Sequence, residues 1–328
     1  MKVLVVTNMY PSPGRPGWGT FVRSQVESLT ALGIENRIYE IEGWRGAGRY
    51  ARALAELPGV ARRERVDLVH AHYGLSGAAA LGVRGVPLVV SFCGDDLLGR
   101  PERNGRITTM SRWLVELSRL AANRADGVIV KTAEMRGRLP GIGDVDVIPN
   151  GVDLARFQPL PVAEARAALG WGSESKVLLF AADPKEPRKN FPLAQEVERR
   201  LRARGWEVRL VAFHGRPQEE MALAISGADL LLLPSFHEGS PNVVKEAMAA
   251  ALPVVAAPVG DCQERLADCS PGAVVPRDPE AFTNAAEDVL RAGRRSNGRE
   301  RITPLELSAV ARRVLAVYQR ALQRRGAR

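Results

Sequence analysis

The segment DLLLLPSFHEGSPNVVKEAM, residues 229–248, contains one strand–loop–helix repeat of the predicted fold. Its apolar run ends at Pro234, a short polar loop follows, and Ser240 stands directly before Pro241. Serine is a common helix cap, and proline is favoured at the first helical position. The segment therefore predicts a buried strand, a loop and the start of a helix, with Ser240 as the cap.

The same alternation of apolar strands and helix-period segments runs along almost the whole chain. The first strand, for example, is followed by a helix with Val22, Val26 and Leu29 on one stripe. Such alternation predicts parallel sheets covered by helices on both faces. The predicted strands are residues 2–7, 67–72, 87–92, 127–131, 145–148, 176–180, 207–213, 228–233, 253–257 and 273–275.

The alternation pauses after Pro149 in a stretch rich in Pro, Gly and Ala. We therefore place a domain boundary between about 150 and 172 and predict an α/β chain of two doubly wound domains. Two such domains in series predict a cleft between them, with ligands at the carboxyl ends of the strands. Residues 304–323 have the spacing of one further amphipathic helix.

The composition excludes several classes of protein. With 328 residues, 45% of them hydrophobic, each half can bury a core of its own. No apolar run reaches the ~20 residues of a membrane-spanning helix or forms a signal peptide, so we expect a cytoplasmic protein. Three cysteines without CxxC spacing argue against disulfides and zinc. His70 and His72 lack further ligands, so we expect no metal and interpret both as buried or strand-edge residues.

The net charge of +9 lies at one end of the chain. Residues 291–328 carry 11 Arg against Glu300 and Glu306, whereas residues 1–290 carry 35 basic and 35 acidic side chains. Such a segment can bind anionic lipid, nucleic acid or another part of the same protein. Nucleic acid is the weakest of these interpretations, because aromatic residues are only 5% of the chain and no base-reading motif is present.

The predicted helix after Pro241 offers a site for an anion. The backbone N–H groups of Asn242 and Val243 have no partner within such a helix, and the helix dipole adds positive charge. Glu246 lies on the same face about 6 Å further along, where its carboxylate could accept a pair of sugar hydroxyls. The alternative is that Glu238 is an ordinary loop residue and Glu246 a solvated helix residue.

Three stretches resemble the retaining family 4 glycosyltransferases. Residues 231–264, LLLPSFHEGSPNVVKEAMAAALPVVAAPVGDCQE, contain a Glu-x7-Glu element that is similar to the donor-binding signature of that family. Residues 145–159, VDVIPNGVDLARFQP, are similar to its interdomain stretch, and residues 2–29 are similar to its N-terminal glycine loop and first helix. The NVVKEAM form most resembles the teichuronic-acid-biosynthesis type, which makes bacterial surface polysaccharides. The resemblance spans nearly the whole chain.

This resemblance implies the GT-B fold, in which two Rossmann-like domains face a cleft. Residues 1–155 would form the N-terminal acceptor domain, and residues 156–302 would form the nucleotide-sugar donor domain. Residues 303–328 would form a helix that crosses back to the first domain.

The resemblance also implies how the donor is bound. Glu246 would hold the ribose hydroxyls, Glu238 would lie beside the donor sugar, and Gly19 would approach the diphosphate from the first domain, since glycine permits close backbone approach. The other donor-binding candidates, whose backbone would meet the sugar or the diphosphate, are Gly239, Ser240, Pro241, Asn242 and Val243.

The chain departs from the family pattern where relatives place an Arg and a Lys after the first strand of the second domain, to neutralise the leaving diphosphate. Lys189 matches the lysine, but Asp183 stands roughly where the arginine is expected. Arg188 or Lys185 would then substitute for that arginine. The alternative for these three cations is a solvated loop.

A second departure lies in the first domain, where Cys93 stands in place of the His that many relatives have before a glycine. We interpret Cys93 as a small buried apolar residue. Asp95 becomes the candidate that contacts the donor sugar or the acceptor hydroxyl. Asp96 and His72 are acceptor-side candidates, and a helix cap is the alternative for Asp96.

The implied reaction transfers a hexosyl or N-acetylhexosaminyl group from a nucleoside diphosphate sugar to an acceptor hydroxyl, with retention and without a metal, in bacterial surface polysaccharide or glycolipid synthesis. A UDP-sugar is favoured over a GDP-sugar. Lys189, Arg188 and the helix start would stabilise the departing diphosphate. Two alternatives remain: a nucleotide-sugar 2-epimerase of the same architecture, and a non-catalytic assembly protein, for which the departures at Cys93 and Asp183 speak.

A second basic feature surrounds Trp44. Arg45, Arg49 and Arg52 recur beside it at helical spacing, in a region that lipid-acceptor relatives use for membrane contact. Several arginines on an anionic leaflet, each worth roughly 1 kcal/mol, would give peripheral attachment to the inner face of the cell membrane. A solvated basic face is the alternative.

Overall fold

The computed structural model describes residues 1–100 and 107–326. This part of the chain divides into two compact units. The first contains Met1–Ser12, Trp18–Gly151 and the described residues from Leu307 onwards, and the second contains Pro13–Gly17 and Val152–Glu306. Strands and helices alternate in both units, which confirms the predicted α/β architecture.

Within the described residues, the first unit holds a six-stranded parallel sheet in the order β2-β1-β3-β4-β5-β6. Its strands are β1 (Lys2–Thr7), β2 (Glu35–Glu40), β3 (Leu68–His72), β4 (Leu88–Ser91), β5 (Gly127–Val130) and β6 (Val145–Val147). The direction in which strands are added reverses between β1 and β3. Their adjacent carboxyl ends therefore form the topological switch point, where open α/β sheets bind ligands.

The second unit repeats this arrangement with five parallel strands in the order β11-β10-β9-β7-β8, counted over the described residues. They are β7 (Lys176–Phe180), β8 (Val208–Ala212), β9 (Leu230–Leu233), β10 (Val254–Ala256) and β11 (Ala273–Val274). Its switch point lies between β7 and β9, so the loops that follow these two strands are neighbours.

The helices are numbered in chain order and flank the two sheets. They are α1 (Thr20–Thr30), α2 (Gly48–Glu64), α3 (Gly74–Ala80), α4 (Asp95–Leu98), α5 (Thr109–Arg124), α6 (Ala133–Gly137), α7 (Val162–Ala168), α8 (Phe191–Ala203), α9 (Gln218–Gly227), α10 (Asn242–Ala249), α11 (Cys262–Leu266), α12 (Pro279–Ala292), α13 (Gly298–Ile302) and α14 (Leu307–Gly326). Among the helices that the structure describes, none is long and apolar enough to cross a membrane.

Helices cover both faces of the first sheet. On one face α2, α3 and α5 pack over an apolar cluster that includes Leu4, Val69 and Val90. On the other face lie α1 and α14, and the fit is close: a Cβ on Gly127 of β5 would lie 2.9 Å from Val317 of α14. The C-terminal helix therefore belongs to the first unit, as predicted, and completes one side of its sheet.

The C-terminal arginines mostly bind the protein itself. In α14, Arg313 donates to the Val147 carbonyl and Arg320 pairs with Asp146 at 2.6 Å. Arg324 pairs with Asp144. In α13, Arg299 donates to the carbonyls of Leu154, Phe157 and Ala249. Of the three surfaces expected for the basic segment, another part of the same protein is thus the one that these arginines contact.

Candidate active site

The switch point of the second sheet brings two loops together. One loop, residues 181–190, follows β7, and the other, residues 234–241, follows β9. The Asn190 side-chain amide donates to the Pro234 carbonyl at 3.2 Å, and the Phe236 N–H donates to the Arg188 carbonyl at 2.9 Å. These bonds hold the two loops in a fixed register at the carboxyl edge of the sheet.

A buried carboxylate joins the same two loops. Glu238, 7% exposed, accepts a hydrogen bond from Lys189 Nζ at 2.6 Å and one from Arg188 Nη1 at 2.9 Å. Burial alone would raise the pKa of the Glu238 carboxyl, but the positive charges of Lys189 and Arg188 outweigh it and lower that pKa. Glu238 is therefore ionised at neutral pH, with two cations beside it.

The three candidate cations thus divide into two groups. Arg188 and Lys189 lie in a 3₁₀ turn, Pro187–Lys189, and reach Glu238, so neither forms part of a merely solvated loop. The Lys185 side chain is exposed, and it is the backbone N–H of this residue that bonds Asp183 Oδ1 at 2.9 Å.

The helix after Glu238 begins one residue later than predicted. α10 starts at Asn242, and the cap position is held by Pro241, which provides no side-chain hydrogen bond. The prediction of Ser240 as the cap is wrong, because its hydroxyl donates instead to Asp261 Oδ2 at 2.8 Å. The positive end of the helix dipole is thus not shielded by a capping side chain, and it directly follows the loop of Glu238.

Gly260 and Asp261, in the loop after β10, pack against the residues that precede α10. The sequence patterns did not single out either residue. Asp261 is 5% exposed and also binds Arg265 at 3.1 Å. Gly260 has φ +54°, and a Cβ there would lie 2.1 Å from the Gly239 carbonyl oxygen. The Gly-Asp pair inside the motif-bearing stretch was the available signal, since only glycine permits this approach.

Glu246 lies one turn into α10 and is only partly exposed. Burial raises the pKa of its carboxyl to about 7, while the positive charges of Lys245 and Arg156 act in the opposite direction. Lys245 is 1% exposed and donates to Asn242 Oδ1 at 3.3 Å, so the Asn242 side chain is engaged within the helix. Glu246 is therefore not the solvated helix residue of the alternative interpretation.

A small cavity connects these features. It is lined by the ends of β7 and β9 together with Lys189, Ser235 and Val243. The lysine that binds Glu238 and the first turn of α10 thus border one space. The cavity measures about 10 Å³, which is room for no more than one water molecule.

In the first unit, Asp96 binds the backbone of three other residues, which is more than the helix cap considered for it from the sequence. Its carboxylate accepts the backbone N–H groups of Gly74, Cys93 and Gly94 at 2.8–3.1 Å, and it is 2% exposed. Gly94 is the cap residue of α4, and Asp96 lies inside the helix and bonds back toward its start. Burial raises the pKa of Asp96 to about 6, against the effect of these hydrogen bonds. Asp95, beside it, is only partly buried.

The neighbouring candidates differ in their surroundings. Cys93 is partly exposed, and burial of its thiol raises its pKa, so it is a poor nucleophile. His70 is buried, with Nδ1 2.6 Å from Tyr318 Oη and Nε2 2.8 Å from Ser91 Oγ, whereas buried His72 has no hydrogen-bond partner at Nδ1.

Gly19 has φ +71°, and a Cβ there would lie 2.3 Å from the Met9 carbonyl, so the fold itself requires glycine at this position.

The basic feature at Trp44 is not the single helical stripe that was predicted. Trp44 and Arg45 lie in a separate 3₁₀ turn, Gly43–Arg45, before α2 begins at Gly48. The arginines also have acidic partners: Arg45 pairs with Glu42 at 3.2 Å, Arg49 lies 3.9 Å from Glu42, and Arg52 pairs with Glu56 at 2.7 Å. Trp44 remains 50% exposed, with the Arg45 guanidinium 4.6 Å from its ring centre.

Comparisons with known proteins identify the family of the chain. A family profile described as Glycosyltransferase Family 4 matches residues 2–156, and one described as Glycosyl transferases group 1 matches residues 174–292. A D-inositol 3-phosphate glycosyltransferase of Frankia alni is 32% identical, with 78% of this chain and 74% of the relative aligned.

Two further proteins extend the comparison. TuaC of Bacillus subtilis, described as a candidate teichuronic acid biosynthesis glycosyltransferase, is 25% identical over 87% of this chain and 88% of its own. HepE of Anabaena, solved in complex with UDP, superposes with a TM-score of 0.68 over 97% of this chain and 100% of its own, at 17% identity. The family resemblance seen in the sequence is therefore confirmed, and the chain belongs to the family 4 glycosyltransferases, with the GT-B fold of two Rossmann-like domains.

Proposed function

We propose that the enzyme transfers a sugar from a nucleoside diphosphate sugar to an acceptor hydroxyl with retention at the anomeric carbon. The observation that carries this proposal is the pairing of buried Glu238 with Arg188 and Lys189, directly before a helix start without a side-chain cap. Two cations and the positive end of a helix dipole suit the two phosphates of such a donor. The second unit would bind the donor, and the first unit would bind the acceptor.

Each candidate site residue then has a role. Lys189 and Arg188 neutralise the negative charge that develops on the departing diphosphate, and Glu238 holds both cations in position beforehand. The backbone from Gly239 to Val243 faces the sugar or the diphosphate. Glu246, one turn along α10, binds the ribose hydroxyls, Gly19 approaches the diphosphate, and Asp95 contacts the donor sugar or the acceptor.

In the transfer step, the bond between the anomeric carbon and the diphosphate oxygen breaks, and the nucleoside diphosphate leaves with the electron pair. The acceptor oxygen forms its new bond on the same face of the sugar. The acceptor proton passes to the departing diphosphate oxygen, so atoms and charge balance. Because Arg188 and Lys189 supply the positive charge, we propose that the step needs no metal.

We favour a UDP-hexose or UDP-N-acetylhexosamine as donor. HepE binds UDP, and it shares the fold over almost the full chain. The relative named for teichuronic acid biosynthesis supports an acceptor from bacterial surface polysaccharide or glycolipid synthesis.

A nucleotide-release assay with UDP-, GDP- and ADP-sugars, run with and without acceptors, tests the reaction, and NMR of the product tests retention. Lys189→Met should lower kcat about 100-fold, because a transition-state charge is left unstabilised. The control Lys176→Met removes an exposed lysine at the opposite end of β7 and should leave kcat unchanged. Equal kcat values in the two variants would remove Lys189 from the reaction.

The same assay separates the two alternatives. A 2-epimerase converts the sugar of the donor when no acceptor is present, whereas a transferase does not. A non-catalytic assembly protein would be stabilised thermally by a nucleotide sugar and release no nucleotide with any acceptor.

We further propose that the first unit contacts an anionic membrane surface. Exposed apolar side chains on α5 support this placement more strongly than the paired arginines near Trp44: Met110 is 69% and Trp113 67% exposed, and Leu117 and Leu120 continue the same face. Arg112, Arg119 and Arg124 against Glu116 make this helix basic. Tryptophan and arginine suit a lipid headgroup region.

Flotation with vesicles tests this surface. We expect binding to vesicles that contain phosphatidylglycerol and not to pure phosphatidylcholine vesicles. Trp113→Ser should weaken binding more than Arg52→Gln, since Arg52 is held by Glu56. Flotation that does not depend on anionic lipid would contradict the proposal.

A further inference from the structure

Polar side chains line the α14 side of the first sheet at its carboxyl edge. Thr7, His72, Ser91 and Ile129 lie side by side across β1, β3, β4 and β5. Because side chains alternate along a strand, the residue two positions beyond Ile129 belongs to the same face. That residue is Lys131, directly after β5.

His70, two residues before His72 on the same face of β3, has hydrogen-bond partners for its whole side chain. His70 has a partner at each ring nitrogen, Tyr318 Oη at one and Ser91 Oγ at the other. Burial lowers the pKa of His70 to about 3, and Lys131 acts in the same direction, so His70 is neutral and serves the packing of α14. It needs no ligand.

Two atoms of the row are not satisfied. Among the described residues, Lys131 Nζ and His72 Nδ1 are buried and have no hydrogen-bond partner. Lys131 is 1% exposed and His72 is 2% exposed. An ammonium group without a partner in such a place is among the costliest groups a protein can bury, and buried charges are normally paired.

The charge of Lys131 affects the protonation of His72. Burial lowers the pKa of His72 well below its usual value, and electrostatic repulsion between a protonated His72 and the neighbouring His70 and Lys131 acts in the same direction. Burial also lowers the pKa of Lys131, while the negative charge of Asp96 opposes that change. The Asp96 carboxylate, however, already accepts three backbone N–H groups, and it forms no hydrogen bond with Lys131.

Partly exposed residues border these two buried groups. In strand order, Cys93 lies between His72 and Lys131, and it is partly exposed, as are Tyr73 and Asp95. His72 ends β3, one of the two strands at the switch point, where a ligand of an open α/β sheet is expected. Because Lys131 is 1% exposed, a ligand group reaches its ammonium only when the side chains at this edge move aside.

We propose that Lys131, with His72, forms a subsite for an anionic substituent of the sugar acceptor, a carboxylate or a phosphate. The ammonium supplies charge and hydrogen bonds, and the neutral imidazole supplies one further hydrogen bond. This inference rests on the proposed function, since it assigns a chemical class to the acceptor. An acidic or phosphorylated sugar would then be a better acceptor than its neutral counterpart.

Thermal unfolding with three probes tests the subsite: glucose 6-phosphate, glucose and inorganic phosphate. We expect glucose 6-phosphate to raise Tm, and the other two to have little effect at the same concentration. Lys131→Met should abolish the rise, whereas the control Lys2→Met, at the amino end of β1 and paired with Glu64 at 3.0 Å, should keep it. His72→Phe provides a second variant that keeps the ring volume and removes the nitrogen.

The outcomes separate the possible sources of the anion. An equal rise in Lys131→Met, or an equal rise with glucose, would overturn the proposal. If inorganic phosphate alone gave the full rise, the site would be one for a free anion and the acceptor assignment would fail. UDP affinity should be unchanged in Lys131→Met, and a tenfold loss would instead assign Lys131 to the donor diphosphate and overturn the proposal.

Turnover distinguishes this inference from the proposed function. If nucleotide is released equally well with neutral and anionic acceptors, in wild type and in Lys131→Met alike, the subsite is refuted and the transferase stands. If no acceptor of either class supports nucleotide release while the Lys131-dependent Tm rise is present, the transfer reaction is refuted and the anion site stands.

Discussion

Lys189 Nζ donates to Glu238 Oε1 at 2.6 Å, across 49 residues of sequence, and this contact joins the two loops at the switch point of the second sheet. A carboxylate that is 7% exposed could not be accommodated there without its cations. The geometry of these two loops is therefore held in place without a ligand. The same contact makes the cations and the carboxylate depend on each other.

This mutual dependence predicts a strongly non-additive mutant cycle. Glu238→Gln and Lys189→Met should each lower the free energy of unfolding by about 1–3 kcal/mol, because each leaves a partly buried charge without its partner. The double variant should lose clearly less than the sum. Urea unfolding at pH 7 measures all four proteins. Glu196→Gln is the control, because Glu196 also pairs with two arginines but on the exposed side of α8, and it should be unchanged. Simple additivity would contradict the coupling.

The raised pKa of Glu246 predicts how stability depends on pH. Its carboxyl titrates near 4.5 when unfolded and at about 7 when folded, so the folded state holds more protons between these values. The free energy of unfolding should therefore fall as pH rises from about 4.5 to 7, by about 1–3 kcal/mol from this group. Glu246→Gln should lack this fall. Urea midpoints of both proteins from pH 4 to 8 measure the difference, and parallel curves would show that Glu246 titrates normally.

The hydrogen bond between Tyr318 and His70 predicts that one hydroxyl matters to the first unit. Tyr318→Phe removes the Oη partner of a fully buried imidazole nitrogen at 2.6 Å. We expect a loss of about 1–3 kcal/mol, because that nitrogen is left unsatisfied. Tyr39→Phe is the control: Tyr39 Oη also bonds a side chain at 2.6 Å, that of Glu56, but near solvent, where water can replace it. Equal losses in thermal or urea unfolding would mean that burial does not set the cost.

The arginines of the C-terminal region should differ in importance. Arg299 donates to three backbone carbonyls of its own unit, whereas Arg312 is exposed on α14. Arg299→Ala should lower the free energy of unfolding by about 1–3 kcal/mol, and this loss should persist in 0.5 M salt, since partly buried hydrogen bonds are little screened. Arg312→Ala should have no measurable effect. If the two variants behaved alike, the contacts of Arg299 would contribute nothing to stability.

The sequence was informative wherever the cause is local. The apolar run from Leu230 to Leu233 and the Pro-containing turn after it predicted β9 and α10, because strand and helix signals act over a few residues. The prediction that Ser240 caps α10 was wrong for a non-local reason, because the Ser240 hydroxyl binds Asp261, 21 residues away in the chain. The residues around Ser240 do not reveal that partner.

The same limit applied to the charges. Helical spacing suggested one basic stripe at Arg45, Arg49 and Arg52, but their acidic partners and the break before α2 depend on how the chain turns. Nothing in the sequence around Lys131 distinguishes it from the lysines that proteins ordinarily leave exposed. Only the tertiary structure shows it buried without a partner.

The membership of α14 in the first unit has a consequence for biosynthesis. Val314, Val317 and Tyr318 are buried against a sheet whose strands were translated more than 160 residues earlier, with Val152–Glu306 of the second unit in between. A ribosome therefore releases the second Rossmann-like unit while the first still lacks one of its covering helices. Until α14 emerges from the ribosome, the part of the sheet face around His70 and Gly127 is not covered by this helix. A ribosome-associated chaperone that binds this exposed face would therefore promote correct folding.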